Sequence, residues 1–184
     1  PILLLLNPDA KGKVIDSLFA SLPNVKETFK LVAVGYMSPS FETKIKSLVD
    51  KLGLKDKVVV INRFLSSEEK YHYINASDLV LLPYRTSYKK AMATSSILAE
   101  SIMMLKPVII TNGVIEGNDL VRENNLGLVI DDEIKDWSEN LTISLQNLDR
   151  MRDLAKSNAL NIRREFRYSG VLKQVYNFNT SGDS

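Results

Sequence analysis

Six short runs of apolar residues punctuate the chain: Ile2–Leu6, then 31–34, 58–61, Leu79–Leu82, 108–110 and 126–130. Each is strand length, several are rich in β-branched residues, and none alternates with polar positions. Continuous apolarity of this kind predicts strands buried on both faces, as in a parallel sheet. Helical spacing fills the intervals. Val14, Leu18 and Leu22 make one apolar face; Phe41, Ile45, Leu48, Val49 and Leu52 make a second, stopped by Gly53. Tyr71, Ile74 and Ala76 fit a third helix, 97–105 a fourth ended by Pro107, and 119–123 a short fifth. Strand and helix in alternation predict an α/β fold: a Rossmann-like, doubly wound parallel sheet of about six strands with helices on both faces. Beyond Asp131 the pattern is helical only, over 137–148, 150–166 and 171–178. The reading is one domain over residues 1–178, with a small polar tail at 179–184.

Composition narrows the chemistry. The 184 residues suffice for one sizeable core and not for two ordinary domains. With 24 basic and 22 acidic side chains the formal charge is +2, too small a surplus for a nucleic-acid footprint. The absence of cysteine excludes disulfides, thiolate nucleophiles and Cys-based zinc sites, and fits a reducing, cytoplasmic setting. One histidine, His72, argues against a His-based metal centre or a Ser-His-Asp triad. Six apolar residues at the start are too few for a spanning helix. A beginning directly in a strand-like run, without methionine, is read as that of a fragment of something longer.

In a doubly wound sheet, ligands bind beyond the carboxyl ends of the strands. The rim loops here are 7–12, 35–39, 62–64, 83–96 and 111–118. The first lacks the Gly-x-Gly-x-x-Gly of dinucleotide-binding enzymes, and no Walker phosphate loop occurs anywhere. Asn7 and Asn62 stand where a receiver-type phosphoacceptor would want acidic residues.

The order of pieces nevertheless resembles a known family. The stretch KLVAVGYMSPSFETKIKSLVDKLGLKDKVVVINRFLSSEEKYHYINASDLVLLPYR, continued by LAESIMMLKPVIITNGVIEGNDLVRENNLGLVID and closed by SNALNIRREFRY, is similar to the C-terminal domain of retaining GT-B glycosyltransferases of the group 1 family, relatives of glycogen synthases and mannosyltransferases. The likeness covers roughly residues 2 to 178 and rests on about eight pieces in the right order. It implies that a nucleoside-diphosphate sugar (UDP-, GDP- or ADP-linked) lies between this domain and an N-terminal Rossmann-like domain, that configuration is retained, and that no metal or other cofactor takes part.

The resemblance places Lys11 at the family's diphosphate-binding lysine; the companion arginine is absent, its place falling on Leu6 or Asn7. Glu100 matches the second glutamate of a Glu-x7-Glu motif, which binds the nucleotide ribose, whereas the first falls on Met92. Two acceptor oxygens suit a pair of hydroxyls. A capping-box role for Glu100 fails, since it lies four, five and six residues after Ser96, Ser95 and Thr94. Thr94, Ser95 and Ser96 open a helix and would offer hydroxyls and N–H groups to phosphate, a role compatible with plain N-capping. Arg63 and Phe64 fall where the family's main chain meets the base, and either side chain could stack there; a surface arginine and a core phenylalanine are the alternative. Arg85, Lys89 and Lys90 form a basic loop that is either phosphate-facing or simply solvated. His72 and Trp137 read as structural.

The implied function is hexosyl transfer with retention to a glycan, lipid-linked or small acceptor, by an enzyme whose C-terminal half alone is inactive. The departures at Met92 and at the arginine motivate an alternative, a non-catalytic scaffold or nucleotide-binding module; a nucleotide-sugar 2-epimerase is weaker. Peripheral membrane association of the full-length enzyme, and self-association of a fragment lacking its companion domain, are further expectations.

Overall fold

The computed structural model describes residues 1–10, 13–85, 96–113 and 115–165. Six strands form one parallel sheet: β1 (Ile2–Leu6), β2 (Lys30–Gly35), β3 (Val58–Asn62), β4 (Leu79–Leu82), β5 (Val108–Thr111) and β6 (Gly127–Ile130), in the spatial order β3-β2-β1-β4-β5-β6. Helices α1 (Asp16–Ser21), α2 (Pro39–Lys51), α3 (Ser67–Ala76), α4 (Ser96–Met103), α5 (Ile115–Glu123), α6 (Ile134–Gln146) and α7 (Leu148–Glu165) cover it.

The apolar runs work because successive side chains of a strand point to opposite faces. Leu3 and Leu5 join one core with Leu31, Ala33, Leu79, Leu81 and Ile109, under α1, α2 and α6. Leu4 and Leu6 join the other with Val34, Val80, Leu82, Val108 and Ile110, under α3, α4 and α5. Trp137, fully buried, anchors α6 in the first core and donates from Nε1 to Asp132 at 3.0 Å. Helix α7 passes from one layer to the other: Leu148 and Met151 pack on the first core, Ala159 and Ile162 on the second. Each fully buried leucine contributes about 1.5–3 kcal/mol, so the doubled interior dominates the stability.

Helix boundaries follow local chemistry. Ser38 and Pro39 open α2, and Gly53, at φ 65°, follows its end. A capping box starts α3: Glu69 N–H donates to Ser66 Oγ at 3.1 Å, and Ser66 N–H to Glu69 Oε2 at 2.9 Å. That helix therefore begins one turn before Tyr71, and α5 begins at Ile115 rather than at Asp119. Apolar spacing understates α3 because its opening residues, Ser67 and Glu68, are polar and exposed. His72 is an exposed residue of α3, 3.7 Å from Glu68. The stretch 171–178, the tail and Lys89 and Lys90 lie outside the described residues.

Chain direction reverses once. From β1 the strands progress outward to β3, then the chain returns beside β1 as β4 and progresses to β6. The helices that follow β1 and β4, α1 and α4, thus pack on opposite faces, and a crevice opens at the carboxyl rim.

Candidate functional site

That crevice is a real cavity of about 240 Å³, lined by Pro8, Asp9, Ala10, Lys13, Val14, Ile15, Asp16, Phe41, Lys44 and Arg85. Its walls are fixed by backbone. Asn7, at φ 47°, turns the chain out of β1 and donates its N–H to Val34 O at 2.8 Å. Asn is among the few non-glycine residues that adopt this conformation readily. The loop then returns to β4: Val14 N–H donates to Pro83 O at 2.9 Å, and Lys13 bridges Tyr84. Thr111 Oγ1 holds Tyr84 from β5, accepting from its N–H and donating to its carbonyl, both at 2.6 Å.

Lys13 is the exceptional side chain of the crevice. It is 7% exposed, and its ammonium donates to the carbonyl of Leu6 with the Tyr84 ring 5.7 Å away. Burial drives its pKa down to about 7 from 10.5. The acids nearby are engaged elsewhere. Asp9 accepts from Ser38 N–H at 2.8 Å and Ser38 Oγ at 2.7 Å, and Asp16 pairs with Lys44 at 2.8 Å.

On the other layer, Glu100 is the fifth residue of α4 and Lys70 the fourth of α3, and both helices follow strands that end at the same rim. Lys70 Nζ donates to Glu100 Oε1 at 2.6 Å, and both side chains are about four-fifths buried. Glu100 Oε2 is also buried and has no hydrogen-bond partner among the described residues. A buried carboxylate oxygen left in that state is costly unless a donor reaches it.

Two aromatic rings stand on the rim beyond β2 and β3. Tyr36 and Phe64 stack with centroids 4.3 Å apart and planes 10° from parallel, yet they are 51% and 75% exposed. Their backbones are held firmly. Asn62 accepts Met37 N–H at 2.8 Å and donates to Met37 O at 3.1 Å and Glu42 Oε2 at 2.5 Å. Arg63 does not face the rings; it donates to Glu69 Oε1 at 2.5 Å. Bonding to the Ser66 N–H, then to Arg63, holds Glu69 down at about 2.

The residues singled out by sequence therefore separate into groups. Arg63 is committed to α3, Phe64 is displayed on the rim, Glu100 is clamped with one oxygen spare, and Ser96 is the exposed first residue of α4. Lys11, Thr94 and Ser95 lie outside the described residues. Sequence reasoning passed over Lys13, Tyr36 and Lys70. Tyr36 stood in a rim loop but had no motif, Lys13 looked like one more loop lysine, and nothing in the spacing paired residues 70 and 100. Among the described residues no group of His, Cys, Asp or Glu is placed to hold a metal ion, and no helix is long and apolar enough to cross a membrane.

The profile of the family "Glycosyl transferases group 1" matches residues 2–160. The chain belongs to this family. Solved structures agree on the fold of this group 1 domain. HepE from Anabaena, solved in complex with UDP, matches at TM-score 0.76 with 14% identity over 98% of this chain and 48% of its own. Sucrose-phosphate synthase from Thermosynechococcus elongatus matches at 0.76 with 19% identity, over 100% and 46%. WaaG, a glycosyltransferase involved in lipopolysaccharide biosynthesis, matches at 0.71 with 24% identity, over 91% and 43%. The group 1 domain thus spans less than half the length of these structures. No curated protein matches its sequence.

Proposed function

We propose that this domain holds the nucleoside-diphosphate-sugar donor of a group 1 glycosyltransferase, which transfers a hexosyl unit with retention to an acceptor presented by an N-terminal Rossmann-like domain. The observation that carries the reading is Glu100: a carboxylate oriented by Lys70 in a helix that leaves the carboxyl rim, with a buried oxygen unmet among the described residues. Vicinal ribose hydroxyls supply the two donors such a group accepts. The stacked Tyr36–Phe64 pair offers a flat apolar surface for a base on the same rim. The β1–β4 crevice, with Lys13 and Arg85, suits the diphosphate.

Charge placement bears on the chemistry. Breaking the bond from the anomeric carbon to the diphosphate oxygen leaves negative charge on the leaving group, and fixed cations stabilise it. Leu6 is fully buried, so no cation issues from the end of β1 itself. Lys13 folds back and delivers one to the Leu6 carbonyl. This supports the catalytic reading against one of the two departures that motivate a non-catalytic scaffold, the absent arginine; Met92 is the other.

Calorimetric titration of the chain with UDP-glucose, GDP-mannose and ADP-glucose tests the reading. One donor is expected to bind, and Glu100→Gln to weaken it about 10- to 100-fold, as for a lost charge-assisted hydrogen bond pair. Binding of none, or an unchanged Glu100→Gln, would sink the proposal. Phe64→Ala and Tyr36→Ala are each expected to cost about 1–3 kcal/mol of donor affinity, the range for base–aromatic stacking, without altering the affinity for inorganic pyrophosphate. A uniform loss for both ligands would show that the rings only hold the loops.

A further inference from the structure

We propose that donor binding at the β1–β4 crevice is coupled to proton uptake, with Lys13 taking the proton as the diphosphate arrives; this rests on the donor-domain reading. The geometry supplies the reason. Lys13 lies under the floor of the crevice at 7% exposure, and its one hydrogen-bond partner among the described residues is the uncharged carbonyl of Leu6. Among the described residues, every charged group that lines the crevice from the packed elements leaves it without a counter-ion. Asp9 of the first loop is engaged by Ser38, Asp16 of α1 is paired with Lys44 of α2, and Arg85, following β4, has the same sign as Lys13. The Tyr84 ring closes the remaining side.

A buried amine in that position loses its proton readily, and its pKa of about 7 agrees. A diphosphate in the crevice is the counter-ion that the described residues do not supply. It stabilises the ammonium and is in turn held by it, so the free energy of protonation is supplied by the ligand. The coupling leaves the ammonium charged when the glycosidic bond to the diphosphate breaks, and spares the unliganded domain part of the cost of a buried charge.

The experiment is titration with whichever of UDP-glucose, GDP-mannose and ADP-glucose binds, in buffers of contrasting ionisation enthalpy at matched pH. These donors have no phosphate group that titrates near neutrality. The slope of observed heat against buffer enthalpy is expected to show uptake of about half a proton at pH 7, approaching one at pH 8. Affinity is expected to fall about tenfold from pH 7 to 8.5. Lys13→Met should abolish both the uptake and the pH slope, whereas Lys13→Arg, which stays charged, should bind with a flat pH profile. His72→Gln removes the one histidine of the sequence and should keep the uptake. Binding of a donor without buffer-dependent heat would overturn the coupling alone, and the wild-type measurement decides this even if a variant fails to fold. Uptake that survives Lys13→Met, or vanishes in His72→Gln, would overturn it as well. Failure of every donor to bind would instead remove the donor-domain reading on which the coupling stands.

Discussion

Replacing Lys13 with methionine is expected to stabilise this domain by up to about 5 kcal/mol at pH 6, an exceptional gain for a single substitution. The native state holds the amine buried beside one neutral acceptor, which lowers its pKa from 10.5 to about 7. The unfolded chain keeps the ordinary value, so between about pH 7 and 10.5 it binds the proton that the native state has lost. Stability therefore rises with pH across that window. The penalty is present in full below pH 7 and disappears as pH passes 10.5. Methionine fills a similar volume without charge, and the gain over wild type should shrink steadily as pH climbs through the window. Denaturant unfolding of both proteins at pH 6, 8 and 9.5 measures it. A variant less stable than wild type at pH 6, or a constant difference across the series, would show that the ammonium is properly solvated or paired. The same substitution is expected to weaken donor binding, so stability and function pull in opposite directions at this residue, as they commonly do in binding sites.

Gly35→Ala is expected to destabilise the fold by about 3 kcal/mol or more and to remove donor binding in what remains folded. Gly35 closes β2 at φ 141°, a conformation costly for any residue with a Cβ. A methyl group there would stand 2.8 Å from Asn7 Cα and 2.9 Å from Asn7 N. Those are backbone atoms, so no rotamer change relieves the clash. Asn7 already makes the left-handed turn out of β1 and hydrogen-bonds Val34. Pushing it away disturbs the loop that carries Asp9, Ala10 and Lys13 into the crevice, and Tyr36 is the residue that follows β2. Thermal unfolding together with donor titration checks both parts. Gly53→Ala is the comparison: Gly53, at φ 65°, has nothing within 4 Å of the added carbon, so it should lose stability through strain alone and keep donor affinity.

The strands could be read from the chain because a strand buried on both faces must be apolar at every position, and few other structures leave runs such as Leu3–Leu6 or Leu79–Leu82. Helix starts were less legible. Ser66-Ser67-Glu68-Glu69 does contain the capping box that opens α3, but its residues are polar and apolar spacing begins only at Tyr71. Glu100 stood out through its resemblance to the second glutamate of the Glu-x7-Glu motif, and a carboxylate among Ile97, Ile102 and Met103 calls for a partner. The partner's identity was not legible, since Lys70 lies thirty residues away on a different helix. Arg63 and Phe64, adjacent in sequence, turned out to serve different neighbours: one closes on Glu69 and the other stacks on Tyr36.

The amino-acid pattern alone determined the alternation of elements and the two-layered cover of a parallel sheet, because local periodicity and burial are written residue by residue. Tertiary structure alone decided that Lys13 loses its water, that Glu100 keeps an oxygen in reserve, and that Tyr36 meets Phe64. Desolvation, charge pairing and ring stacking depend on distances between segments far apart in the chain, and no window of sequence contains them.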